Sequence, residues 1–192
     1  VIVAATGNAG KMKEFRRILP DYEILSMKEA GFSGDVEENG KTFEENALLK
    51  ARTVMEATGH AAFADDSGLV VDALDGAPGI YSARYAGEGA SDAQLIEKLL
   101  KEMQGIPATE RGAAFVSVIA YVSPDGEEKT FRGECRGRID FVPRGENGFG
   151  YDPVFLIPEK GKTFGELSAD EKNEISHRAR ALALFKTYME KR

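Results

Sequence analysis

Val1-Ile2-Val3-Ala4-Ala5-Thr6-Gly7-Asn8-Ala9-Gly10-Lys11-Met12 opens the chain, and its reading decides the fold class. A short β-branched and apolar run suits a strand. Thr6-Gly7-Asn8 breaks that run, and Met12, Phe15, Ile18 and Leu19 then recur at helical spacing until Pro20 stops the helix. Strand, glycine-bearing turn and helix in that order begin a crossover unit, which parallel strands require. Residues 22–26 read as a second strand, and the glycine- and acid-rich residues 31–41 as a loop. The best-marked helix follows. Thr42 with Glu45 three positions later forms a capping box, Phe43, Ala47, Ala51, Val54 and Met55 make one apolar stripe, and Gly59 lies past the end.

Residues 61–64 form a short buried strand running into Asp65-Asp66, and Leu69-Val70-Val71 continues a strand beyond. Residues 76–89, rich in glycine and holding Pro78, read as loop. Residues 92–103 form an amphipathic helix with Leu95, Ile96, Leu99 and Leu100 on its apolar side. Residues 113–122 and 128–136 flank Pro124-Asp125-Gly126, a hairpin signal. Residues 145–152 make another glycine-rich turn, and from Ser168 the chain is helical almost to its end. Early strand–helix alternation and a later hairpin predict an α/β domain with a mixed, partly antiparallel sheet.

A chain of 192 residues, 42% hydrophobic and 30% charged, is ordinary for one globular domain or for two lobes sharing a core. The single cysteine, Cys135, forms no internal disulfide and leaves no cysteine-based metal site, which makes a reducing cytoplasm the natural setting. No apolar run approaches the roughly 18–20 residues that span a membrane. The opening residues lack the length and basic flank of a signal peptide, and read as a strand beginning one or more residues after the true start of the gene product. A net charge of -7 argues against nucleic acid and anionic lipid as partners. It leaves room for a small polyanion, because a local group of cations or a metal can neutralise it.

Chemistry concentrates in a few stretches. In Asp65-Asp66-Ser67-Gly68, adjacent carboxylates repel and a cation between them would relieve the strain; hard oxygen ligands on a short turn suit Mg²⁺. Alone, this run reads more simply as an Asx-type turn with Gly68 at positive φ. Thr6-Gly7-Asn8-Ala9-Gly10-Lys11 at a strand–helix junction offers backbone N–H groups, a helix dipole and a lysine to an anion, although it is not a Walker A loop. Beside the apolar stripe of the capped helix, Thr42, Asn46 and Lys50 fall along one side, just after Glu37-Glu38-Asn39-Gly40. Thr42 is accounted for by capping. Gly148-Phe149-Gly150-Tyr151-Asp152-Pro153 puts an aromatic stacking face and a carboxylate among glycines, with Tyr151 the candidate core plug. Near the end, Glu171-Lys172-Asn173 leads to Ser176-His177-Arg178, where Ser176 is placed to cap a fresh helix. Each stretch has an ordinary structural explanation. Together they describe a metal-bound nucleotide.

These segments, with Thr42-Phe43-Glu44-Glu45-Asn46-Ala47, Lys50-Ala51 and Pro78-Gly79-Ile80-Tyr81-Ser82-Ala83-Arg84-Tyr85, span nearly the whole chain, and as a set they resemble the Ham1/inosine triphosphatase family. Asn39 departs from that pattern, which usually has Thr there. The resemblance implies an elongated two-lobed mixed β-sheet with flanking helices and an active cleft between the lobes, usually as a homodimer. It implies hydrolysis of ITP, dITP and XTP to the monophosphate and pyrophosphate. By matching position, Glu38 and Asp66 would bind magnesium, and Asp66 would be the proton acceptor. Thr6, Gly7, Asn8, Ala9, Gly10, Lys11, Lys50 and Ser67 would meet the triphosphate and sugar. Phe149, Gly150, Tyr151, Asp152, Lys172, His177 and Arg178 would surround the base. Because a carboxylate bound to magnesium is a poor base, two arrangements stay open: Asp66 acting through a water, or Asp65 sharing the task. A pyrimidine-directed pyrophosphatase of the Maf kind, and a nucleotide sensor without turnover, are the competing readings. The Ser176-His177-Arg178 donors argue against the first and the complete acidic set against the second.

Overall fold

The computed structural model describes residues 1–192. Seven strands form one sheet: β1 (Ile2–Ala4), β2 (Ile24–Ser26), β3 (Ala62–Val71), β4 (Gly112–Val122), β5 (Glu128–Ile139), β6 (Phe155–Ile157) and β7 (Lys162–Thr163), in the order β2-β1-β3-β4-β5-β6-β7. β1 pairs in parallel with β2 and β3, whereas β5–β6 and β6–β7 are antiparallel, so the sheet is mixed as predicted. Five helices accompany it: α1 (Ala9–Ile18), α2 (Phe43–Thr58), α3 (Asp92–Glu102), α4 (Ala169–Ile175) and α5 (His177–Glu190). None is long and apolar enough to cross a membrane.

Two compact units divide the chain: Val1–Asp66, Ser117–Gly133 and Arg178–Arg192 make the first, Ser67–Val116 and Glu134–His177 the second. The divisions fall inside β3, β4 and β5, and between the first two residues of α5.

In the first unit, α1 and α2 are the crossovers that let β1, β2 and β3 run parallel. Asn8 caps α1 by accepting from the Lys11 N–H at 3.0 Å, and Met12 and Phe15 turn inward. Thr42 caps α2, accepting from the Glu45 N–H at 3.0 Å, and Gly59 ends it in the left-handed conformation at φ 73. The expected capping box is only half formed, because the Glu45 carboxylate accepts from the Lys41 N–H instead of from the cap residue. The core joins Ile2, Ala4, Phe15, Phe63, Ile119, Tyr121 and Phe185. Phe15 meets Phe63 edge-on at 4.9 Å between centroids, and full burial of such a ring stabilises by about 1.5–3 kcal/mol.

The second unit has its own core around Leu69, Val71, Leu99, Met103, Phe115, Phe155 and Phe164. Ser91 and Gln94 close a reciprocal capping box on α3, which buries Leu95, Ile96 and Leu99. Arg111 is buried, and its guanidinium donates to the carbonyls of Ile139, Met103, Ile106 and Asp140, stitching the end of β5 to the turn after α3.

Three sequence expectations change. Asp65-Asp66-Ser67-Gly68 is not a turn: β3 runs unbroken through it, and Gly68 is not at positive φ. Residues 76–89 contain a 3-10 helix, Gly79–Arg84, held by the Ser82 hydroxyl, which donates to the Gly79 carbonyl and accepts from the Leu69 N–H. The C-terminal helix is two helices broken at Ser176, whose φ of -66 and ψ of 154 are extended, and α5 starts at His177 as the capping argument anticipated.

Candidate active site

Extended backbone at Asp65 and Asp66 settles what the doublet does. Successive side chains of a strand point to opposite faces, so two adjacent carboxylates in β3 meet two different environments. Asp65, at 0% exposure, meets Arg178 and Lys11: Arg178 Nε donates to Oδ2 at 2.8 Å, and Lys11 Nζ lies 3.0 Å from Oδ1. The Ser117 hydroxyl donates to the same Oδ2 at 2.9 Å, and Glu14 pairs with the far side of the Arg178 guanidinium. Burial pushes the Asp65 carboxyl up, but the charges of Arg178 and Lys11 and the hydrogen bonds from both overcome it and hold the group well below the usual carboxylate range. For Lys11, burial outweighs the pull of Asp65 and lowers the ammonium from its ordinary value. Burial opposes the Arg178 charge as well, but Asp65 and Glu14 raise its pKa above the ordinary value.

Asp66 is set differently. Lys50 Nζ stands 3.5 Å from its Oδ1 and 2.6 Å from Glu38 Oε1, and also donates to the Asp65 carbonyl at 2.7 Å. Its Oδ2 is buried with no hydrogen-bond partner. Burial raises the Asp66 pKa; the lysines Lys50 and Lys11 oppose that, Glu38 and Asp65 reinforce it, and the result is about 6. An orphaned carboxylate oxygen beside a second carboxylate suits a hard dication that takes one or two protein oxygens and leaves its other positions to water and phosphate. No group of three or more His, Cys, Asp or Glu gathers to make a closed metal cage. Glu38 and Asp66 therefore fit magnesium as a pair, and a full coordination shell would need oxygens from a ligand.

The Thr6–Lys11 turn sits at the N-terminus of α1. Gly7, Asn8 and Ala9 are exposed, Thr6, Gly10 and Lys11 partly so, and the Thr6 hydroxyl accepts from the Asn8 N–H. A Cβ at Gly7 would meet nothing within 4 Å, so internal packing does not demand glycine there. An anion can approach this helix start.

In the second unit, the 145–152 turn forms as expected, with positive φ at Gly145, Gly148 and Gly150. Gly148 is required sterically, because a Cβ there would collide with the Asp152 carboxylate. That carboxylate accepts from the Phe149 N–H at 3.1 Å and from Lys172 Nζ at 2.7 Å, with Asp152 and Lys172 both nearly fully buried. The same ammonium lies 4.9 Å from the Phe149 ring centre. Tyr151 is the core plug: its hydroxyl donates to the Ser82 carbonyl at 2.6 Å, and burial, with Tyr85 and Asp92 nearby, raises its pKa. His177 stacks on Phe115 at 4.7 Å and 18°.

The structure thus brings Lys11, Lys50, Glu38 and Asp66 together in the first unit, and Phe149, Asp152 and Lys172 together in the second. Ser67 follows Asp66 in β3 and is partly buried. His177 and Arg178, neighbours in sequence, belong to different units, and Arg178 is engaged by Asp65 and Glu14. Sequence reasoning passed over Glu14, Ser117 and Asp92, whose carboxylate accepts from the Gly150 N–H at 3.0 Å. Signals existed for two of them: Ser117 is a polar residue inside the apolar run of β4, and Glu14 lies three residues from Lys11 on α1.

A model of the Ham1 family matches residues 2–188. The chain belongs to the Ham1 family. Among its relatives, the dITP/XTP pyrophosphatase of Geobacter sulfurreducens is 53% identical over 190 residues, covering 98% of this chain and 96% of the relative. The enzyme of the same name from Bacillus subtilis is 50% identical with the same coverage. Of solved structures, the Staphylococcus aureus Ham1 protein superposes with a TM-score of 0.88 at 49% identity, covering 98% of this chain and 97% of that one. A Coxiella burnetii HAM1 protein gives 0.89 at 42% identity, covering 100% and 98%. The α/β fold with a mixed sheet and flanking helices is therefore that of Ham1 proteins.

Proposed function

We propose that this Ham1-family chain is a nucleoside triphosphate pyrophosphatase that hydrolyses non-standard purine nucleoside triphosphates, dITP, XTP and ITP, to the monophosphate and pyrophosphate. Relatives at about half identity over nearly the full length carry the name dITP/XTP pyrophosphatase. The observation that carries the chemistry is Asp66: a buried carboxylate with one unpartnered oxygen, its pKa raised to about 6, flanked by Lys50 and Glu38.

Hydrolysis of a phosphoanhydride needs a positioned water and neutralised charge more than covalent help. Glu38 and Asp66 are the residues that would hold magnesium, which when bound screens the polyphosphate charge. Lys11 and Lys50 add fixed positive charge. The N–H groups of Thr6, Asn8 and Lys11 are already bonded locally, so those of Gly7, Ala9 and Gly10 are the ones that meet phosphate oxygens, with the dipole of α1 behind them. Ser67 contacts the same region. Asp66 is the catalytic residue, taking the proton of the attacking water through a bridging water, because a carboxylate that also holds magnesium is itself a poor base. Asp65 is too firmly ionised, by Arg178 and Lys11, to share that task.

For the base, Phe149 offers a stacking face, and Gly150, Tyr151, Asp152, Lys172 and His177 line its surroundings, with Lys172 held by Asp152. Donors facing a C6 carbonyl accept hypoxanthine or xanthine and reject adenine, whose amino group leaves donors facing donors. Any reading of the base by Arg178 competes with Asp65 and Glu14 for the guanidinium.

Action on free nucleotides suits a cytoplasmic enzyme, and we take its working form to be a homodimer, which light scattering of the purified protein tests. The decisive assay incubates the enzyme with dITP, XTP, ITP, the four common triphosphates and modified pyrimidine triphosphates, with Mg²⁺ or with EDTA. Monophosphate and pyrophosphate from the three purines, with Mg²⁺ only, is the expected result. Release of orthophosphate and a diphosphate, or preference for a pyrimidine, would overturn the reading.

A further inference from the structure

Glu38 stands in a stretch, residues 33–41, that forms neither helix nor strand, and it is partly exposed. A carboxylate on such a segment has no fixed place unless something ties the backbone down. The ties come from the first two turns of α2. The Gly40 N–H donates to the Asn46 side-chain Oδ1 at 2.8 Å, the Lys41 N–H donates to Glu45 Oε2 at 2.6 Å, and Lys50 Nζ reaches Glu38 itself at 2.6 Å. Asn46 and Lys50 are four residues apart, hence on one face of α2. Asn46 is the buried member of the three, at 1% exposure, although amides are mostly found at protein surfaces. The contact is close as well as polar. A Cβ on Gly40 would come within 2.7 Å of Asn46 Oδ1 and 2.8 Å of Glu45 Cβ, so only glycine lets the strand of backbone lie this near the helix.

We propose that Asn46, with Gly40 as its counterpart, is a positioning residue that sets the place of the Glu38 carboxylate relative to Asp66, and so sets the affinity of the pair for a divalent cation. The proposal rests on Glu38 and Asp66 being the magnesium carboxylates. Groups that orient a metal-binding carboxylate through a hydrogen bond typically change metal affinity by about 10–100-fold when removed. The same helix then carries both the lysine that neutralises Glu38 in the metal-free chain and the amide that aims it.

Calorimetric titration of Mn²⁺ alone into the nucleotide-free protein tests it, beside the Mg²⁺ concentration that half-saturates dITP hydrolysis. Asn46→Ala is expected to weaken Mn²⁺ binding by roughly tenfold and raise the Mg²⁺ requirement in step, while kcat at saturating Mg²⁺ stays within about threefold of the parent. Asn46→Asp keeps an acceptor oxygen for the Gly40 N–H and is expected to bind Mn²⁺ no more weakly than the parent. Gly40→Ala, with Asn46 intact, is expected to behave like Asn46→Ala, and circular dichroism confirms that each variant folds. A merely structural amide would lower the melting temperature and leave the metal dependence unchanged, which overturns the proposal, as does an Asn46→Asp protein as weak as Asn46→Ala. A parent chain that binds no Mn²⁺ removes the proposal together with the magnesium reading. A parent that binds it, with variants that bind equally well, removes the proposal alone.

Discussion

Charge dominates the candidate site of the first unit: Asp65 binds Arg178, Lys11 and Ser117, and Lys50 joins Glu38 to Asp66. The second unit holds one buried ion pair, Lys172–Asp152, in a setting of rings that includes Phe149, Phe164 and Phe115. On the proposed function, the difference follows the two halves of a nucleotide. A polyphosphate is recognised by full charges, which must be gathered against their own repulsion and held in place by counterions. A base is recognised by a flat apolar face and a few oriented donors, where each extra unpaired charge would be costly to bury. Within the first unit the contrast recurs one residue apart: both Asp65 oxygens are ion-paired, to Lys11 and to Arg178, and the group is firmly ionised, whereas Asp66 Oδ2 has no partner and its carboxyl is raised to about 6. Satisfied groups hold structure. Under-satisfied ones are available for chemistry.

The sharpest way to break the contrast is Asp66→Asn, which should lower kcat by roughly 10²–10⁴-fold while nucleotide binding persists, as single-turnover assays and equilibrium binding of dITP will read. Asp65→Asn should act on stability instead, because Arg178 and Lys11 lose the carboxylate charge that compensates them. Breaking a buried pair this way costs about 3–5 kcal/mol, measurable by urea unfolding.

In the metal-free chain the two aspartates should also have opposite pH signatures. Asp66, with its folded pKa raised to about 6 above an ordinary value of 3.8, favours the fold fully below about pH 4 and progressively less as pH rises through 6. Asp65, with its folded pKa depressed, contributes stability above its ordinary value that is lost as pH falls below it. Urea unfolding in EDTA at pH 4 to 7 should therefore show Asp66→Asn gaining on the parent as pH rises. A parallel pair of curves would sink the assignment.

In the second unit, Phe149→Ala should raise the KM for dITP by roughly tenfold with kcat nearly unchanged, a stacking loss of about 1–3 kcal/mol. The smallest effect belongs to Arg52→Ala, which opens the exposed bidentate pair with Glu128 (2.6 and 2.7 Å) and should cost about 0–1 kcal/mol in the same unfolding assay.

Periodicity and capping chemistry are local, and they were legible: β1, α1, α2 with Thr42 and Gly59, α3 and the β4–β5 hairpin lie where the spacing of apolar residues puts them. Asp65-Asp66-Ser67-Gly68 was misread as a turn because two aspartates, a serine and a glycine are local turn formers. The extended conformation is imposed from outside, by sheet pairing and by lysines from α1 and α2 that donate to the Asp65 carbonyl. The break at Ser176 showed itself through its capping residue, whereas the 3-10 helix at Gly79–Arg84 did not, since its anchor is a hydrogen bond from the distant Leu69 N–H.

By itself, then, the sequence determined the α/β class, most element positions, the motif set that places the chain among Ham1 proteins, and the identity of the acidic and basic residues. Only the tertiary structure decided their roles. It separated Asp65 from Asp66 by putting them on opposite faces of one strand, recruited Glu14 and Ser117 to hold Asp65 and Arg178, and set Asn46 under Gly40. Those decisions depend on contacts between residues far apart in the chain, where burial changes the energy of a charge by more than any local preference does.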